Sequence, residues 1–205
     1  MRSATMRHTM LTGVLALAFT GTANAQSFGF GVKGGVNFAT QTVTNAPSAA
    51  SYGYRVGLLG GGFVTVPLAS WLDVQADGLY ASKGASLKVL GLTTTAEVDY
   101  FEVPVVARVK RGGGHRRYFV EGGASIGVRV RARAKTSFSG STEDVDVSNQ
   151  YERLDYGIVA GGGLEMSRLV IDGRYTYGLA DVDKDKTDNS KTKNRAISVS
   201  VGYRF

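Results

Sequence analysis

Strict alternation of apolar and polar residues is the feature that most limits what this chain can become. It is plainest at the C-terminus, where Ile197, Val199, Val201, Tyr203 and Phe205 share one face and Ala196, Ser198, Ser200, Gly202 and Arg204 the other. A period of two marks a β-strand lying between two environments, because successive side chains point to opposite sides of the pleat. Seven earlier segments repeat it. Segment 28–39 sets Phe28, Phe30, Val32, Val36 and Phe38 against Lys33 and Asn37. Segment 53–66 sets Val56, Leu58, Val64 and Val66 against Arg55 and Thr65, and segment 71–83 sets Leu72, Val74 and Tyr80 against Asp73, Gln75 and Asp77. Segment 98–110 opposes Phe101, Val103, Val105 and Val109 to Glu102 and Arg108; segment 117–133 opposes Tyr118, Val120, Ile126 and Val128 to Glu121, Ser125 and Arg129. Segments 153–166 and 168–179 place Tyr156, Ile158, Leu164, Leu169, Ile171, Tyr175 and Tyr177 opposite Asp155, Glu165, Asp172, Arg174 and Thr176.

Long polar connections follow the first, third, fifth and seventh segments. The others are tight: Pro67 to Ser70, Arg111 to Arg116, and Ser167. An even strand count with long and short connections in turn is the asymmetry of an outer-membrane barrel, long loops outside and short turns in the periplasm. Residues 1–25 read as a secretory signal peptide, with Arg2 and Arg7 ahead of a short apolar run, Met10 to Phe19, and small residues at Ala23-Asn24-Ala25. That run is about half of the ~20 residues a spanning helix needs. Residues 26–205 then form the barrel domain. Loss of the leader removes two arginines and no acid, so the formal net charge of +7 becomes +5.

An eight-stranded soluble lipocalin has a similar length, but it requires an apolar lumen and a polar exterior. Here the aromatics gather near strand ends on the apolar face: Phe28, Tyr118, Tyr203 and Phe205 at one end, Phe38, Tyr80, Phe101, Tyr156 and Tyr177 at the other. Two aromatic girdles around an apolar band suit a bilayer. The expected fold is therefore all-β, an eight-stranded antiparallel up-and-down transmembrane β-barrel in the bacterial cell outer membrane.

Several stretches resemble the PorT-like outer-membrane β-barrel family: Gly31-Val32-Lys33-Gly34-Gly35-Val36-Asn37-Phe38, Tyr100-Phe101-Glu102-Val103-Pro104, Tyr118 to Gly123, Gly173 to Gly178, and Val201 to Phe205. They fall in order along the mature chain and are architectural rather than catalytic, so the resemblance implies the barrel and no specific activity. The closing Tyr203 and Phe205 also resemble the C-terminal signal by which the barrel-assembly machinery reads a final strand.

If the polar faces point inward, the lumen holds charges of both signs that demand pairing. Glu102, Arg108, Glu121, Arg129, Asp172 and Arg174 are the expected members of a structural charge network. Glycines at 29, 31, 35, 57, 61, 123, 127, 161 and 163 would make room for their long side chains. Pro104, which removes a ladder hydrogen bond from a barrel without edges, predicts a β-bulge that re-aims Glu102 or Arg108.

Chemistry is sparse. Cysteine is absent, and of 2 histidines only His115 outlasts the leader, in a glycine-rich turn on the periplasmic side. Gly123-Ala124-Ser125-Ile126-Gly127 has the G-x-S-x-G spacing, but inside an alternating strand rather than at the strand-to-helix turn of a nucleophile elbow. Asp181-Val182-Asp183-Lys184-Asp185 opens like a calcium loop, but Lys186 and Thr192 replace the glycine and glutamate that such a loop needs, so loop 181–193 reads as a solvated tip. Loops 83–96 and 135–150 read as mobile surface loops. Lys110, Arg111, Arg116 and Arg117 suit phospholipid headgroups better than nucleic acid. The expectation is a non-enzymatic monomer without cofactor or metal. Its partners would be outer-membrane lipid, the assembly machinery and an unidentified surface or periplasmic protein. A narrow pore, or an accessory subunit of an envelope or protein-secretion machine, are the alternatives.

Overall fold

The computed structural model describes residues 28–43, 52–89, 92–138, 141–148, 152–182 and 192–205. The expected leader, residues 1–25, and residues 183–191 of the acidic loop lie outside the described residues. The strands are β1 (Gly29–Val43), β2 (Tyr52–Ala69), β3 (Leu72–Val89), β4 (Leu92–Gly113), β5 (Arg116–Phe138), β6 (Ser141–Asp146), β7 (Leu154–Met166), β8 (Leu169–Gly178) and β9 (Thr192–Arg204). All pairings are antiparallel. They run β4-β3-β2-β1-β9-β8-β7-β5, and a β4–β5 ladder closes the ring. Eight strands make the barrel. β6 stands outside it, paired only with the outer end of β5 through Arg133↔Asp146 to Phe138↔Ser141.

The side-chain alternation sorts by environment as the bilayer reading requires. Val199 and Val201 are 47 % and 50 % exposed on the outer surface, while Ser200 between them is 2 % exposed. Ile171 and Tyr175 face out; Asp172 and Arg174 are buried inside. A skin of exposed valine, leucine and aromatic residues around an interior of buried ions would be insoluble as a water-facing surface and suits hydrocarbon. Phe28, Tyr118, Tyr203 and Phe205 mark one rim of this skin, and Phe38, Tyr80, Phe101 and Tyr156 the other.

Four expectations need correction. First, Pro104 makes no bulge. Pairing on the β3 side lapses between Ala76↔Val105 and Leu79↔Glu102, then resumes in the same register, while Pro104 still pairs with Ser125. The missing N–H is absorbed as a gap, so Glu102 and Arg108 keep their inward aim. Second, the β4–β5 irregularity falls instead at Asp99/Tyr100, where Arg129 and Arg131 are the partners and Val130 is the extra residue. A bulge shifts the alternation by one. Beyond it Ala132 turns inward and Arg131 emerges. Third, segments 83–96 and 135–150 are not simply loops: β3 and β4 continue as a hairpin to Val89 and Leu92, and β6 folds back on β5. Fourth, the inward glycines mostly do not make room for ions. A Cβ at Gly123 would meet the backbone carbonyl of Val105, and one at Gly31 would meet the Tyr203 carbonyl and the Phe63 ring. Only Gly29, Gly127 and Gly161 border a charged side chain. Tight curvature, more than side-chain bulk, requires the others.

Candidate functional site

Polar residues fill the lumen because each strand delivers every second side chain there. At the central level Lys33 of β1, Asp77 of β3, Arg108 of β4, Glu121 of β5, and Asp172 and Arg174 of β8 interlock. Lys33 Nζ donates to Asp172 at 2.8 Å and to Asp77 at 3.5 Å. Arg108 Nε donates to Glu121 Oε2 at 2.7 Å, and Arg174 Nη2 reaches the same oxygen at 3.3 Å. Arg174 also pairs with Asp77. Around them Gln75 donates to Asp77, the Thr65 hydroxyl donates to Gln75 at 3.2 Å, and the Ser200 hydroxyl donates to Asp172 at 2.9 Å. Three cations face three anions, and no side chain of the six is more than 5 % exposed. Removing one partner from such a buried set costs about 3–5 kcal/mol, because the charge left behind is uncompensated. Two inward rings floor the cluster: the Arg108 guanidinium lies 4.3 Å from the Phe119 centroid and Lys33 Nζ 5.8 Å from that of Phe63.

Toward the outer mouth Lys83 of β3 pairs with Glu102 and lies 3.5 Å from Asp155. Asn194 donates to Asp155 at 2.9 Å and to the Tyr100 hydroxyl at 3.3 Å, and Gln41 donates to Asn194 at 3.2 Å. Above this level Val98, Tyr100 and Ala132 form a fully buried apolar knot, with Val147 packed on it. Toward the periplasm Lys110 donates to Asp73 at 2.7 Å. Glu165 there is approached by Arg117 and Arg204 at 3.7 Å and by Arg108 at 3.9 Å.

Of the residues singled out from sequence, Arg108, Glu121, Asp172 and Arg174 meet in the central cluster, and Glu102 belongs to the outer level. Arg129 joins neither. It sits half-buried at the bulge, and its Nε is buried without a hydrogen-bond partner. Lys33, Asp77, Lys83, Asp155, Glu165 and Asn194 complete the levels and were not singled out as members. Most were legible as inward-facing; their heights in the barrel, which decide who meets whom, depend on inter-strand register. Lys110, expected at the lipid headgroups, instead turns inward to Asp73.

Above the outer girdle a second polar group ties β2 to β5 outside the apolar band. Glu97 contacts Arg55 and Lys135, each at 3.1 Å, and Asp99 pairs with Arg131 at 2.9 Å. Burial pushes the Glu97 carboxyl up, but the hydrogen bonds from Lys135 and Arg55 outweigh it and hold the group below the ordinary carboxylate range.

His115 is exposed in the β4–β5 turn, where its carbonyl accepts from the Ser167 amide at 3.0 Å. Among the described residues no three His, Cys, Asp or Glu side chains stand together in a metal-holding arrangement. Asp181 accepts from the Thr192 amide at 3.0 Å; the acids that follow it lie outside the described residues.

The family model for the outer membrane protein beta-barrel domain matches residues 24–184. The chain belongs to this family. It is a barrel of the bacterial outer membrane, with its skin in lipid. Among solved structures, this outer-membrane barrel is similar to Ail, the attachment invasion locus protein of Yersinia pestis, solved in complex with the heparin analogue sucrose octasulfate. The identity is 18 %, covering 87 % of this chain and 99 % of that one, with a TM-score of 0.44. It is also similar to Neisserial surface protein A, at 13 % identity over 86 % of this chain and 97 % of that one, TM-score 0.46. A further similarity is to LpxR from Salmonella typhimurium, at 9 % identity over 85 % of this chain and all of that one, TM-score 0.33. No curated protein matches the barrel in sequence.

Proposed function

We propose that this outer-membrane barrel is a non-enzymatic monomer, closed to solutes, that acts at the cell surface through the sheet formed by the outer ends of β2 to β6. The observation that carries this reading is the contrast between its two ends. The lumen is filled at three levels by paired ions and stoppered by the Val98–Tyr100–Ala132 knot. Above the outer girdle, by contrast, β4 runs from Phe101 to Leu92 and β5 from Val130 to Phe138. At about 3.3 Å per residue, less the tilt, these strands rise roughly 20 Å beyond the apolar band. Strands paired that far beyond the band offer a surface partner a better-positioned platform than a loop would.

The leader at residues 1–25 delivers the chain to the periplasm, and the outward-facing Tyr203 and Phe205 present the last strand to the barrel-assembly machinery. The narrower PorT-like affiliation rests on the strand motifs of β1, β4, β5, β8 and β9. A photo-crosslinker at Ser141, on β6, tests the surface reading against one at Gly113, in the periplasmic turn. Crosslinks from Ser141 to an extracellular protein support it. Crosslinks from Gly113 alone would turn the protein into a subunit of an envelope machine, and defined conductance steps across a planar bilayer would turn it into a pore.

A further inference from the structure

The periplasmic mouth holds a cavity of about 310 Å³, lined by Phe28, Asp73, Lys110, Arg117, Arg204 and Phe205 among others. Its volume is that of a site for a small polar ligand. Asp73 and Lys110 satisfy each other at 2.7 Å. Arg117 and Arg204 are not satisfied in that way. Each comes within 3.7 Å of Glu165, yet the buried Glu165 Oε2 receives no hydrogen bond, and among the described residues the Arg204 guanidinium otherwise donates to the Ser167 carbonyl alone, at 3.3 Å. Most of two guanidinium forks are therefore free to meet an anion at the cavity.

The cavity wall identifies the anion's carrier. Phe28 and Phe205 line the cavity and are also 59 % and 60 % exposed on the barrel's outer skin. Phe205 packs beside Phe30 and Tyr203, with centroids 5.4 and 5.5 Å apart, in the girdle that faces the inner leaflet. A ligand seated here would have its charged head among the arginines and any apolar tail along aromatic rings already in lipid. We propose that this mouth is a seat for the phosphodiester headgroup of an inner-leaflet phospholipid, held by Arg117 and Arg204. The phosphodiester is anionic, and its oxygens fit the planar guanidinium fork.

Native mass spectrometry of the folded full barrel, released from micelles doped with phosphatidylglycerol, tests the assignment. Phosphatidylglycerol should be retained, and diacylglycerol with the same chains should not. Glycerophosphoglycerol, the soluble phosphodiester with the same headgroup, should bind at least about tenfold more weakly. R117Q/R204Q should retain about tenfold less phosphatidylglycerol, the effect expected on losing charge-assisted hydrogen bonds. R111Q/R116Q removes equal charge from the same rim outside the cavity and should lower retention no more than about twofold. A heat-dependent gel shift reports folding. If R117Q/R204Q fails it, R117Q alone, which removes one 3.7 Å approach from a half-exposed side chain, is read in its place. Equal retention by the two double variants would overturn the proposal. So would retention of diacylglycerol as strong as that of phosphatidylglycerol, or glycerophosphoglycerol binding as tightly as the lipid.

Discussion

Glu121 is the residue on which the central cluster turns, since one of its oxygens serves both Arg108 and Arg174. Truncation to alanine strands the buried Arg108 guanidinium and leaves Arg174 with Asp77 alone as its close carboxylate, and E121A should lose about 3–5 kcal/mol in urea unfolding of the barrel in vesicles. A loss below about 1 kcal/mol would mean that solvent already reaches the cluster. Glu97 tests the opposite environment. Its carboxyl is held low in the folded protein by Lys135 and Arg55, against the push of burial. Stability from this group is therefore present above the unfolded-chain pKa, about 4.3, and is lost as pH falls through the lower folded value. Amide exchange in Thr95 to Val98 should accelerate on acidification through that window, and E97Q should remove the pH dependence. An unchanged profile in E97Q would show that another group controls it.

The strands were legible because a period of two needs no tertiary information, and every inward charge on Lys33, Asp77, Glu121 and Arg174 was readable from phase alone. Phase fails where register shifts: the bulge at Asp99/Tyr100 is set by pairing between β4 and β5, and nothing local announces it. β6 went unread for a similar reason. Ser141 to Asp146 is too acidic and too short to look like a strand, and only the free outer edge of β5 makes it one. Pro104 shows the reverse error, in which a true local rule was answered by a ladder gap rather than a bulge. Curvature supplies a sharper test of the elements. Gly34, with only the Leu59 carbonyl at 3.8 Å from an added Cβ, should accept alanine without loss. Gly123, whose added Cβ would press on β4 backbone, should lose about 1–3 kcal/mol as alanine, the usual penalty for overpacking. Equal effects at the two sites would refute the argument from close strand approach. The last strand carries a separate expectation. Phe205 faces outward at the girdle, so its deletion should slow assembly in cells while leaving detergent refolding nearly unchanged. Equal slowing in both settings would assign Phe205 to packing instead.

At the scale of the molecule, one inversion organises everything else: hydrocarbon-compatible side chains outside, compensated ions inside. It explains why so many interior charges are held in pairs rather than left facing lipid. The chain contains no cysteine, so single cysteines can be introduced and spin-labelled without background. The most direct test compares collision of labels at Val64, Ile126 and Val199 with oxygen and with a water-soluble nickel chelate, in the barrel reconstituted into phospholipid vesicles. The account predicts high oxygen and negligible nickel accessibility at all three positions, the signature of side chains in the bilayer core. Nickel accessibility equal to that of a label at exposed Gly113 would place these faces in water and contradict the inverted barrel.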